Sequence, residues 1–425
     1  MRERERLIEL RNTLPFLIWI ASLILALNSG WVMAYRILYL FTLLIVIGVV
    51  WSGGAVFSLS VTRDPATRTL HVGDVLSERV TIRNRSLLPQ MWVAVDDTSE
   101  MPRHLLRQVL SYIGPRSSRQ FLLRTVALRR GRYRLGPVVL TGGDPFGIFR
   151  TRRSVGALSS VVVYPRVYTL KSFGVLAGVL QADRRRTRRS TDPTTDVSSV
   201  REYRPGDEFR RIHWLSSARL GRLISKEFEH SPGGDVWIVL DMQGRAQAGS
   251  LLRMAPAGEF SRLGPEGWPE LEPATEEYAV SMAASVAAHY LRADRAVGFI
   301  SIEDMPRIDM PDRGERQLTR ILDRLAVARA IGNVSLQRVL ERESHRFRRF
   351  DTVVTITPSD DESWLLAAQN LALRGIRILA LVIDRASFEG QAGGSSLSSS
   401  IGAHGLPVCT IEKGQRPDEV LCQVA

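Results

Sequence analysis

Two long uncharged runs open the chain, and neither shows the period of a half-buried element. The first lies between Arg11 and Arg36 and contains LPFLIWIASLILAL; the second extends from Ile37 to Thr62 and contains ILYLFTLLIVIGVVW. Each exceeds the ~20 residues that carry a helix through a hydrocarbon core, where the helix satisfies its own backbone groups. Trp19, Trp31, Tyr35 and Trp51 fall where aromatic rings sit at membrane interfaces. The alternative is a cleaved signal peptide followed by a core helix, but no small-residue cleavage site separates the runs. Residues 1–55 are therefore expected to form a short tail and a transmembrane helical hairpin. Arg2, Arg4, Arg6 and Arg11 precede the first run, Arg63 and Arg68 follow the second, and Arg36 marks the turn. The positive-inside rule then predicts a multi-pass inner (plasma) membrane protein with its soluble body in the cytoplasm.

Residues 56–168 change to short segments of alternating apolar and polar residues, such as LSERVTIRN and MWVAVDD, separated by turn residues. They predict a small antiparallel β-sandwich. SSRQFLLRTVALRRGRYRLGPVVL reads as a hairpin turning near Gly131, and GGDPFG, from Gly142 to Gly147, as a tight reversal. Periodicity then fades over residues 169–233, where ADRRRTRRSTDPTTD reads as a linker or exposed loop.

From 234 to 425 apolar runs alternate with helical patterns. DVWIVLD, AVGFISI, DTVVTITP, IRILALVI and PVCTI read as strands; EEYAVSMAASVAAHYLRAD and RQLTRILDRLAVARA read as helices. The alternation predicts a mostly parallel sheet covered on both faces. Met242–Thr275 and Ala386–Ser400, rich in Gly with Pro or Ser, read as long irregular loops.

The formal charge of +13 ordinarily points to an acidic partner. Here lysine is confined to Lys171, Lys226 and Lys413, and the arginines are scattered over every segment, often beside acids. No basic motif interleaved with aromatic residues accompanies them, so no nucleic-acid partner is expected. Anionic membrane lipid is the remaining candidate for the arginines of the 182–196 stretch, against a simple solvated loop. Cys409 and Cys422 make neither a disulfide framework nor a zinc site.

The most distinctive stretch is REYRPGDEFRRIHWLSSARLGRLISKEFE, Arg201 to Glu229. Pro205 and Gly206 turn the chain, Asp207 reads as an N-cap, and Phe209, Ile212 and Trp214–Ala218 as the buried face of a short helix; LISKEFE reads as a strand. This segment resembles the family called domain of unknown function 58, membrane-anchored bacterial proteins. The resemblance rests on Arg201, Glu202, Tyr203, Pro205, Gly206, Asp207, Arg210, Ile212, Trp214, Ala218, Arg219 and Glu229. A second signature is carried by Gly131, Tyr133, Leu135-Gly136-Pro137, Asp144-Pro145-Phe146-Gly147 and Phe149. The resemblance implies a von Willebrand factor type A-like C-terminal domain and a partnership with a MoxR-type AAA+ ATPase.

Type A domains hold a divalent ion with D-x-S-x-S, because hard cations need convergent oxygens. The corresponding residues here are Asp241-Met242-Gln243-Gly244-Arg245, which lack both serines. Asp360 and Asp361 are candidate late carboxylates, and Asp304, Asp309 and Asp312 candidate loop ligands, yet no metal and no cofactor is expected. His213 stands near Ser216, Ser217 and Asp207 without the spacing of a catalytic triad, which favours packing or capping. The charged residues of the signature serve either a structural ion-pair network or a partner-docking surface. The function expected is a non-enzymatic, membrane-tethered protein-interaction or scaffold protein. A metal-dependent hydrolase and an envelope structural or adhesion protein are the rival readings.

Overall fold

The computed structural model describes residues 7–104, 106–156, 158–170, 197–203, 212–228, 234–249, 273–303, 306–390 and 396–423. The chain divides into two compact units, the first built on Met1–Arg166, the second on Val167–Arg253, Leu271–Ile321 and Ala328–Ala425.

In the first unit the apolar runs fold into helices Leu14–Ser29 and Val32–Phe57. The first is opened by Asn12, whose Oδ1 accepts the Leu14 amide, and ended by Gly30, which takes a left-handed φ of 62°. Only glycine adopts that conformation without a side-chain penalty. At 16 residues the first helix is about 24 Å long, short of the ~30 Å hydrocarbon core. Val32–Gly54, with 23 residues and a mean hydropathy of 2.2, is long and apolar enough to cross a membrane. A two-span hairpin is thus not supported. The turn lies at Gly30 rather than at Arg36, which is inside the second helix.

A strand that the periodicity did not announce, Leu7–Leu10, pairs antiparallel with Phe149–Val155. The helices are seated on that same strand. Phe16 meets Phe149 edge-on at 6.0 Å, and the buried hydroxyls of Ser52 and Thr151 lie 2.6 Å apart. Gly48 keeps this approach open, because a Cβ there would stand 3.2 Å from the Phe149 ring.

Among the described residues the strands of this unit form three sheets. One is five-stranded, in the order Leu7–Leu10, Phe149–Val155, Val138–Gly143, Gln90–Asp97 and Arg107–Ile113; a second joins Leu59–Pro65, Val75–Asn84 and Ser118–Val126. Their inward residues, among them Val61, Val80 and Ile82 against Val93, Leu110 and Leu140, make one core. The third joins Thr69–His71, Ser159–Tyr164 and Gly131–Leu135, and its first pair is parallel, so the unit is not wholly antiparallel. The expected hairpin about Gly131 does not form. Ser118–Val126 pairs with Val75–Asn84, whereas Gly131–Leu135 pairs with Ser159–Tyr164. Between them the buried Ala127 bonds to Asp74, which redirects the chain from one sheet to the other. The reversal at GGDPFG does form: the buried Asp144 accepts the amides of Phe146 (2.9 Å) and Phe149 (2.6 Å).

Arg63, read from sequence as a membrane-flanking charge, is instead an interior residue, its side chain only 3% exposed. Its guanidinium pairs with Glu78 at 2.6 Å and Asp97 at 2.8 Å. His104 completes the group, with Nε2 3.0 Å from Glu78 and Nδ1 3.0 Å from the Thr125 hydroxyl.

The second unit contains a six-stranded sheet in the spatial order Pro306–Asp312, Val297–Ile302, Val236–Leu240, Thr352–Thr357, Arg377–Ile383 and Val408–Ile411. Five strands are parallel, and the edge strand Pro306–Asp312 is antiparallel to its neighbour. Side chains alternate across a strand. Trp237 and Val239 accordingly share one core with Leu340, Trp364 and Leu371, from helices Leu336–Glu343 and Ser363–Leu373. Helix Thr275–Arg292, buried along nearly its whole length, packs against the same strands. Two expectations are corrected here. Asp309 and Asp312 lie on the edge strand instead of in a loop, and 386–400 contains parts of two helices, Arg385–Glu389 and Ser396–Ala403. Asp304 lies outside the described residues.

Candidate functional site

Two places concentrate chemistry in the second unit. The first is the segment singled out from sequence. Strand Val197–Glu202 pairs antiparallel with Ile224–Phe228, which puts Arg201 opposite Ser225 and Glu202 opposite Ile224. Tyr203 follows, half-buried, its amide bonded to the Leu223 carbonyl. The helix between the strands is Trp214–Leu220, and its cap is His213, whose Nδ1 accepts the Ser216 amide at 3.1 Å. The imidazole supplies the acceptor that the first turn needs. Pro205, Gly206, Asp207, Arg210 and Glu229 lie outside the described residues.

The helix is inverted relative to expectation. Ser217 faces inward, where its hydroxyl accepts the Ile224 amide, and Ile212 is buried. Trp214 and Leu215 are 65% and 67% exposed, Leu220 57% and Leu223 43%. Arg219 is exposed as well, and so is the pair formed by Arg222 and Glu202 at 3.6 Å. Hydrogen bonding explains the orientation: the strand entering at Ile224 leaves an amide that only a short polar side chain on the inner face can satisfy.

The second place is the crest of the sheet, at the carboxyl ends of Val236–Leu240 and Thr352–Thr357. These strands carry chain connections running in opposite directions along the sheet, which creates the crevice where open α/β sheets bind their ligands. Asp241, 3% exposed, accepts the Thr357 hydroxyl on Oδ2 (2.7 Å) and the Gln243 amide on Oδ1 (3.0 Å). Burial pushes its carboxyl above the usual range, although both hydrogen bonds favour the ionised form. Asp361 accepts the Ser363 amide and hydroxyl at a helix start, and Asp384 accepts the Ala386 amide at another. Asp360 is exposed; burial is the first cause raising its carboxyl, opposed by Arg385 and aided by Asp384 and Glu389. Arg385 donates to the Arg245 carbonyl at 3.1 Å. Among the described residues no three His, Cys, Asp or Glu side chains converge as metal ligands would.

A raised carboxyl makes a prediction with a definite sign. The folded chain binds the Asp241 proton more tightly than the unfolded chain, so this group loses stability as pH rises from 3.8 through its folded value. Asp241→Asn is expected to remove that slope and to unfold at an equal or higher temperature at pH 7. A lower melting temperature with an unchanged slope would show that the carboxylate is structurally required.

Comparison with known proteins marks a stretch that runs through both places. Residues 199–255 match the family described as "Protein of unknown function DUF58". That match begins on the paired strand and includes the whole inverted helix and the crest loop after Asp241. An uncharacterized protein of Bacillus subtilis (strain 168), YeaD, is 23% identical over 287 residues, which are 64% of this chain and 63% of that protein. Likeness to solved structures is slight. The CARDB domain of the PF1109 protein from Pyrococcus furiosus is 14% identical over 25% of this chain and 86% of its own, with a TM-score of 0.19. The human seminal plasma complex of zinc 2-glycoprotein with prolactin inducible protein is 9% identical over 24% of this chain and 93% of that one, with a TM-score of 0.20. Neither score carries an argument about fold.

Proposed function

We propose that this chain is a membrane-tethered interaction protein of the DUF58 family, held by helix Val32–Gly54, with its soluble units in the cytoplasm. Its second unit is a von Willebrand factor type A-like domain with a degenerate ion site, which presents its crest to a protein partner, a MoxR-type AAA+ ATPase. The observation that carries the reading is the crest itself. It holds a buried acid at the switch point of a six-stranded sheet, beside exposed charges from Arg245 and Asp360 and the half-buried Arg385. The residues present do not fit a divalent ion. Gln243 and Arg245 stand where serine oxygens are needed, and both Asp241 oxygens already accept hydrogen bonds.

Crosslinking tests partner and orientation together. A membrane-permeant crosslinker added to intact cells is expected to capture the ATPase, and an impermeant one is not. Reversing exposed crest charges with Arg245→Glu and Asp360→Arg should abolish capture while moving stability by no more than ~0.5 kcal/mol, as surface changes do. Capture unchanged by the reversals would remove the crest from the reading, and capture by the impermeant reagent would place the soluble units outside.

A further inference from the structure

The inverted helix presents apolar residues outward from the very segment that the family shares, while its polar residue seals the interior. Trp214, Leu215, Leu220 and Leu223 make this face, and in soluble proteins a cluster of large apolar side chains facing water marks a surface that is covered in use. From Trp214 to Ile224 the sequence is WLSSARLGRLI, which carries Arg219 and Arg222 and no acid; Glu202 sits 3.6 Å from Arg222 in an exposed pair.

We propose that this face docks on an anionic lipid surface, with the tryptophan and leucines entering the headgroup boundary and the two arginines meeting lipid phosphates. Tryptophan and leucine interleaved with arginine are the residues that an interfacial element carries, and Arg219 follows Leu215 by four positions on the same exposed side. Each arginine near an anionic leaflet contributes about a fivefold gain in binding. Seven helical residues are too few to bind a bilayer alone. They need not do so, because the same chain carries the apolar Val32–Gly54 helix, and a tether converts a weak contact into an intramolecular one. Docking would hold the second unit in a fixed orientation against the surface. It rests on the tether of the preceding reading but not on the ATPase partner.

The test uses the full-length chain in nanodiscs, either of phosphatidylcholine alone or with phosphatidylglycerol added. Leu220→Cys, in a Cys422→Ser background, carries an environment-sensitive fluorophore; Cys409 is buried and stays unlabelled. A label replacing the exposed Leu373 is the control. Doxyl lipids are expected to quench the Leu220 label, and aqueous iodide to spare it, in the anionic discs only. Arg219→Ala with Arg222→Ala, or raised salt, should weaken lipid quenching by roughly an order of magnitude. Iodide quenching equal to that of the control overturns docking. Equal lipid quenching in neutral discs overturns the anionic requirement, and a label shielded from both quenchers assigns the face to a second protein surface. Failure of the chain to incorporate into discs would count against the tether instead, which separates the two readings.

Discussion

Arg63→Ala is expected to cost the first unit ~3–5 kcal/mol, the range for stranding buried carboxylates without their cation. The change leaves the fully buried carboxylates of Glu78 and Asp97 without their cation, with His104 on the one and Ser99 on the other. Relief by water is blocked, since all four side chains are at most 3% exposed. Denaturant unfolding of the variant should therefore show a lower midpoint, and a loss under about 1 kcal/mol would mean that the group is hydrated or rearranges. Acid provides a second check. Burial by itself raises the Glu78 carboxyl, but hydrogen bonds from His104 and Arg63, with the charge of both, outweigh it and hold the group below its ordinary 4.5. A depressed carboxyl stabilises above its unfolded value, and that contribution is lost as pH falls through the folded value. Wild-type stability should thus drop below pH 4.5, and the Arg63→Ala protein should show a shallower drop.

Trp237→Ala is expected to cost the second unit a similar ~3–5 kcal/mol, and its partner in the argument is a glycine. The indole is 1% exposed, meets Phe347 edge-on with centroids 5.5 Å apart, and lies over Gly298 of the neighbouring strand. A Cβ on Gly298 would stand 2.6 Å from the indole, so Gly298→Ala overpacks the core at ~1–3 kcal/mol. In a Trp237→Leu background the same methyl has room, and the two changes should be strongly non-additive. A double-mutant cycle on unfolding free energies measures this coupling; additive costs would show that Gly298 is needed for its backbone and not for the space it leaves.

What the sequence made legible follows from what periodicity encodes. Alternation in Val75–Asn84 and unbroken apolar runs such as Arg377–Ile383 report how many faces a strand buries, and those strands lie where expected. Periodicity does not report the partner. Ser118–Val126 and Gly131–Leu135, adjacent in sequence, accordingly went to different sheets. The edge strand Pro306–Asp312 was hidden by its own chemistry, since proline and acids suit an edge that must not recruit further strands and read as loop by composition. The ion group was invisible because Arg63, Glu78, Asp97 and His104 are scattered along the chain and each looks like an ordinary surface charge. At the signature segment Trp214 and Leu215 face outward where the sequence pattern predicts burial, because tryptophan and leucine on a helix are ordinarily its buried face. The hydroxyl of Ser217, needed by the Ile224 amide, decided the orientation.

The pairing of Leu7–Leu10 with Phe149–Val155 also sets an order of events during synthesis. Leu10 leaves the ribosome early, while its partner Phe149 lies beyond both apolar helices and most of the β strands. The N-terminal strand must therefore wait, unpaired, until the sheet it joins has been made, and loop closure over such a separation is slow. Closure of this strand is then a late latch that forms only once the sheet is in place, so removing residues 7–10 would leave the edge of Phe149–Val155 open.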